Sequence, residues 1–160
     1  MTYKPQRGDY GIVKTNGIIG YLIQLGTLTQ YNHAFIYLGH DQIIEATPRH
    51  GVKISPVLTY DNIVWNQHEA RTDEQRDAIV REALKHLGNR YSFIDYLAII
   101  LSVVGLRVPK VLTNYLGKST DEICSQLTVR AIRAAGIPIE GKKPDFLVKP
   151  SDLIYRLLYI

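Results

Sequence analysis

The chain has 160 residues, 46% hydrophobic and 21% charged, with a net charge of +4 at neutral pH. That length and balance suit one globular domain with a core of its own, at ~100–200 residues per domain, and exclude a disordered or low-complexity chain. The 19 Lys and Arg are scattered rather than clustered, which argues against a nucleic-acid partner, and a lone cysteine excludes an internal disulfide and a Cys-rich zinc site.

In chain order, residues 10–14, 33–38, 42–46, 51–55 and 62–67 are rich in β-branched and aromatic residues. Gly, Pro, Asn and Asp punctuate them, the pattern of short antiparallel strands. Between the first two, residues 16–26 carry Asn16 as a cap, Ile18, Ile19, Leu22 and Ile23 on one face and Gly26 as a stop, which predicts one inserted helix. The second half turns helical. Over 72–88, Thr72 and Gln75 have capping-box spacing, Ile79, Val80, Ala83, Leu84 and Leu87 form an apolar stripe, and Gly88 ends it. A buried helix is predicted over 92–105. The uncharged apolar run there, 96–106, is eleven residues long, short of the ~18 that a membrane span requires. Over 119–136, Ser119 and Glu122 repeat the capping box and Gly136 closes the helix. No repeat or linker divides residues 1–160, so the reading is a single α+β domain with an antiparallel sheet.

The one thiol, Cys124, then falls one to two turns inside the last helix. Two readings compete. Cys124, Leu127, Ala131 and Ala135 share a face and could be core filler, because free cysteine is among the most buried residue types. Near a helix N-terminus the same thiol is favoured as a thiolate, provided a histidine lies beside it. Of the histidines, His40 falls in a turn, His68 in a polar connector and His86 near a helix end, all three read as solvated. His33 opens an apolar strand and shares its face with Phe35 and Tyr37, which points it inward. Glu45, between Ile44 and Ala46 on the next strand, needs a partner if buried. With Leu38 opposite Gln42, Glu45 lies across from Phe35, diagonal to His33 on one face. A two-residue turn at His40 and Asp41 places the two on opposite faces instead. Their meeting therefore depends on loop length.

Other signals fall away. The "YLGKST" at 115–120 lacks the earlier glycine of a phosphate-binding loop, since Leu112 stands there. His33, His40, Asp41 and Glu45 lack a known metal-ligand spacing. Eleven tyrosines come without an RNA-binding signature.

Taken together, "RGDYGIV", "NHAFIYLG" followed by "IIEATPRHGVKISP", a helix opening "TDEQ", "ICSQLTVRAIRAAGI" and a closing "KPSDLIYRLL" resemble the circularly permuted branch of the papain-like NlpC/P60 superfamily. That branch includes YiiX-like proteins and lecithin retinol acyltransferase-like enzymes. The resemblance runs through nearly the whole chain, and "CSQL" is similar to the "CSGL" of unpermuted relatives. It implies a barrel-like antiparallel sheet packed against a Cys-bearing helix, with Cys124 as nucleophile, His33 as base and Glu45 as its orienting group. His50 is a fallback orienter, and the Cys124 backbone N–H is one oxyanion donor. The implied activity is that of a thiol-dependent amidase or peptidase, with no cofactor and no metal. Its expected partner is a peptide or acyl substrate such as a cell-wall peptide. Lipid-directed acyl transfer and a noncatalytic binding module are the alternatives. Many bacterial members carry an export signal that "MTYKPQRGDYG" lacks, so the expected setting is cytoplasmic or phage-associated.

Overall fold

The computed structural model describes residues 3–16, 30–67, 69–92 and 123–139, together with Leu101, Pro109, Val148, Asp152 and Leu153. The helices expected over 16–26 and 92–105 fall almost wholly outside these residues, as do His68, Ser119, Glu122 and the 115–120 segment.

Five strands form one antiparallel sheet: β1 (Tyr10–Val13), β2 (His33–Gly39), β3 (Gln42–Thr47), β4 (Gly51–Pro56) and β5 (Val64–Trp65), in the order β4-β3-β2-β1-β5. A single 3-10 turn, Val57–Thr59, follows β4. Two helices complete the described elements, α1 (Asp73–Lys85) and α2 (Cys124–Ala134). The sheet is open. β4 and β5 are its two edges, and β5 has only two residues with which to continue the ladder, so the barrel-like closure expected from the resemblance is not present among the described residues. β5 is also far shorter than the strand expected over 62–67.

Both faces of the central strands are covered, which is why their sequences read as almost continuous apolar runs. On one face Ile12, Ala34, Ile36, Ile44, Ala46 and Val52 pack with Ile79, Val80 and Ala83 of α1 and Leu127, Ala131 and Ile132 of α2. Each fully buried aliphatic side chain there contributes about 1.5–3 kcal/mol. On the opposite face Val13, Phe35, Tyr37 and Ile43 are covered by Val57, Tyr60, Ile63 and Trp65. Gly11 makes that second layer possible: a Cβ on it would stand 2.7 Å from both the Phe35 ring and Ile63.

α1 starts where its sequence says. Thr72 Oγ1 accepts from Gln75 N–H at 3.2 Å, and Gln75 Oε1 accepts from Thr72 N–H at 3.1 Å, a reciprocal cap worth about 1 kcal/mol. Its buried face is narrower than the apolar stripe: Leu84 and Leu87 are 40% and 48% exposed. α2 ends in Gly136 at φ +72, with Gly136 N–H bonded to the Arg133 carbonyl and Ile137 N–H to the Ile132 carbonyl. That paired pattern satisfies the last carbonyls and needs a residue free to take a left-handed φ. No helix among the described residues is long and apolar enough to cross a membrane.

Asp9, fully buried just before β1, ties the start of the chain to α1. It accepts from Tyr3 Oη at 2.6 Å, Gln6 N–H at 2.7 Å and Arg76 Nη1 at 2.7 Å, with Arg71 Nη1 at 3.7 Å. Arg71 is as buried as its partner, its side chain 1% exposed, and lies over the Tyr10 ring. Asp9→Ala leaves two largely desolvated guanidinium groups short of a counter-charge, so an unfolding free energy lower by about 3–5 kcal/mol is expected in denaturant titration. Asp77→Ala, which breaks only the exposed pair with Arg7, is expected to cost less than about 1 kcal/mol.

Candidate active site

The β2–β3 hairpin decides whether His33 and Glu45 can meet. Its turn is the two-residue one, His40–Asp41, with both residues at positive φ (49° and 57°) and Gly39 opposite Gln42, the primed geometry that tight hairpins favour. Alone, that turn would put His33 and Glu45 on opposite faces. The register shifts by one residue between Tyr37 and Gly39, however, so that Phe35 pairs with Glu45 and Tyr37 with Ile43. The extra residue of this bulge, around Leu38, cancels the effect of the even loop. His33, Phe35 and Glu45 therefore share the sheet face turned away from the helices.

Glu45 is fully buried and surrounded by donors. Its Oε2 lies 2.7 Å from His33 Nε2 and accepts from Tyr60 Oη at 2.5 Å. Its Oε1 accepts from Ser55 Oγ at 2.6 Å, with Lys53 Nζ at 3.5 Å. Burial opposes ionisation of this carboxyl, but the hydrogen bonds and charge of His33, with Ser55 and Tyr60, overcome it and hold it down at about 2. Glu45 is a carboxylate at any ordinary pH. Tyr60 responds in the opposite direction: burial and the neighbouring carboxylate push its phenol well above the usual range, so it stays a donor.

Cys124 is the first residue of α2, with Ile123 as its extended N-cap. The helix thus begins at the thiol rather than one to two turns before it, and the capping-box spacing of Ser119 does not mark its start. At the first helical position the Cys124 N–H has no intrahelical acceptor, and the positive end of the helix lies at the sulfur. Gln126 Oε1 accepts from Ile123 N–H at 3.4 Å, Ser125 Oγ donates to the Val148 carbonyl at 2.6 Å and Thr128 Oγ1 to the Cys124 carbonyl at 3.0 Å. These bonds fix the first turn, and Cys124 Sγ sits 4.0 Å from the Asn32 carbonyl.

Cys124 and His33 are electrostatically coupled, each shifting the other's acidity. Glu45 occupies Nε2 of the ring. Burial alone would push the thiol up. The hydrogen bond and charge of His33, with the backbone N–H groups of Ala34 and Ser125, reverse that and hold it below its ordinary value. Burial likewise opposes the imidazolium, yet Cys124 and Glu45 together raise His33 to about 9. At neutral pH His33 is an imidazolium with a carboxylate behind the ring, and its charge favours the thiolate form of Cys124. No protein-family model and no curated protein matches this chain.

The other expected residues lie elsewhere. His50 is exposed in the β3–β4 turn and is not among the hydrogen-bond or ion-pair partners of Glu45, and His40 is exposed at the hairpin tip. His86, read as solvated, is half-buried, with Nε2 3.5 Å from Glu82 and Nδ1 3.3 Å from Asn89 Nδ2. Ser55, Tyr60 and Lys53 were not singled out in sequence. Ser55 and Lys53 had a findable signal, because β4 pairs with β3 so that Lys53 faces Glu45 directly. Beside Tyr60 opens a cavity of about 810 Å³, whose lining includes Lys14, Thr15, Asn16, Tyr31 and Asp61. Among the described residues, no three His, Cys, Asp or Glu side chains gather as a metal site would need.

Proposed function

We propose that the chain is a thiol-dependent hydrolase, an amidase or peptidase of the permuted papain-like NlpC/P60 type. Cys124 is its nucleophile, His33 the proton carrier and Glu45 the orienting carboxylate. The observation that carries this reading is the buried imidazole held through Nε2 to a carboxylate at 2.7 Å and electrostatically coupled to the lone buried thiol. An inert core cysteine has no use for such an arrangement, whereas a nucleophile requires it.

The Cys124 thiolate attacks the substrate carbonyl carbon, and the carbonyl electrons move onto oxygen beside the free Cys124 N–H, where one good donor is worth about 10²–10³ in rate. The tetrahedral intermediate collapses, the C–N bond breaks, and the imidazolium of His33 gives its proton to the leaving amine. A thioester on Cys124 remains. Neutral His33 then takes a proton from water as its oxygen attacks the thioester carbon, releasing the acid and restoring the thiolate–imidazolium pair. The polar lining of the cavity beside Tyr60 favours a peptide over a hydrocarbon chain, which places lipid acyl transfer behind amide hydrolysis.

Mass spectrometry of the protein after exposure to cell-wall peptide fragments and, separately, phospholipids tests this directly. The expected result is an acyl adduct on Cys124 from the peptides, absent in Cys124→Ala. A wild-type protein that neither acquires an adduct nor turns over any amide or ester sinks the reading. The pH profile has a worked sign. Because the active form is the ion pair, kcat/KM rises as Cys124 loses its proton below the ordinary thiol range. It falls as His33 loses its own through about pH 9.

A further inference from the structure

We propose that Tyr60 is a positioning residue of this site, setting both the orientation of His33 and the charge that Glu45 presents to it. The inference rests on the thiolate–imidazolium reading of Cys124 and His33.

Tyr60 lies in the β4–β5 connection, which folds over the sheet face that carries His33 and Glu45. Three contacts converge on it. Its hydroxyl donates at 2.5 Å to Glu45 Oε2, the same oxygen that meets His33 Nε2. Its ring stacks on Phe35 with 5.4 Å between centroids and 9° between planes, and Phe35 is the cross-strand partner of Glu45. Its ring also leans on His33 itself, centroids 5.4 Å apart and planes at 50°. A side chain needed only for filling would supply the two ring contacts without the hydroxyl.

The hydroxyl has a definite electrostatic effect. Two donors share Oε2, so each leaves less negative charge for the other. Removing the Tyr60 donor concentrates charge on the bond to His33 and stabilises the imidazolium further. The titratable groups facing the pair are Cys124 from α2, Lys53 from β4 and Tyr60 itself. Lys14 and Asp61 line the neighbouring cavity.

Tyr60→Phe keeps the ring and deletes only the donor. The expected result is a kcat about tenfold lower with KM unchanged, the factor that one hydrogen bond to a charged group is worth. The basic limb of the pH profile moves above its wild-type position near 9. Tyr60→Ala, which also empties the ring site, is expected to raise KM as well. A Tyr60→Phe enzyme with wild-type kcat and an unmoved basic limb overturns the proposal. Alkylation of Cys124 by iodoacetamide separates this from failure of the site reading. If wild-type alkylation does not depend on His33, the triad itself is wrong. If it does, and Tyr60→Phe leaves the profile unchanged, only the Tyr60 proposal falls. Should Tyr60→Phe not fold, proton NMR of the wild-type protein decides. A slowly exchanging Tyr60 hydroxyl resonance that shifts when Cys124 is alkylated is expected, and a silent or unmoved one overturns the inference.

Discussion

His33→Ala is expected to slow turnover by about 10⁴-fold or more, and Cys124→Ala to remove it down to the background that binding alone provides. In the proposed reaction His33 both supplies the leaving-group proton and favours the ionised thiol, so the two variants should be far from additive: the double variant should be little worse than Cys124→Ala. The thiol reports the loss independently of any substrate. Without the imidazolium, burial is left as the dominant influence on Cys124 and pushes its pKa up. Rapid alkylation at pH 7 in the wild type and slow alkylation in His33→Ala, recovering only at alkaline pH, is the expected pair of results. Equal rates in the two proteins would remove the basis for a nucleophilic Cys124.

Glu45→Gln is expected to lower kcat by about 10³–10⁴-fold while leaving the fold intact, as loss of the carboxylate behind a catalytic imidazole does elsewhere. The amide oxygen can still accept from His33 and Tyr60, but the negative charge that helps raise His33 is gone. The basic limb of the pH profile should therefore drop below its wild-type position near 9, opposite in direction to Tyr60→Phe. Stability supplies a second readout. The folded state holds Glu45 at about 2 against an ordinary value of 4.5. The stabilisation this provides is complete above pH 4.5 and lost as pH falls through about 2. Denaturation of wild type and Glu45→Gln across that window should show their difference shrinking with acid.

Local signals were the readable part of the fold. The Thr72–Gln75 box and four of the five strands survive almost residue for residue, because caps and strand-forming composition depend on neighbours in the chain. The pairing of Phe35 with Glu45 was legible as one of two registers. Choosing between them required a bulge near Leu38, and the one residue type that hints at it, Gly39 at φ +90, reads equally well as part of the turn. The Cys124 helix was legible, but its start was not: Ile123 is a poor cap by composition, and the segment relies on Gln126 instead. Leu84 and Leu87 satisfied the helical stripe yet lie outside the packed face, because only Ile79, Val80 and Ala83 of α1 are buried. Tyr60 was invisible for a different reason. Its role depends on how the β4–β5 connection crosses the sheet, a tertiary fact with no periodicity behind it.

The sheet carries His33 and Glu45 on the face away from the helices, while the sulfur arrives on the opening turn of α2. A nascent chain can close its hairpin and join imidazole to carboxylate long before residue 124 has been made. Until the two layers dock, the sulfur is an ordinary thiol at the ordinary acidity of its kind. The proposed reactivity of Cys124 would thus be withheld from a polypeptide whose sheet and α2 have not yet met.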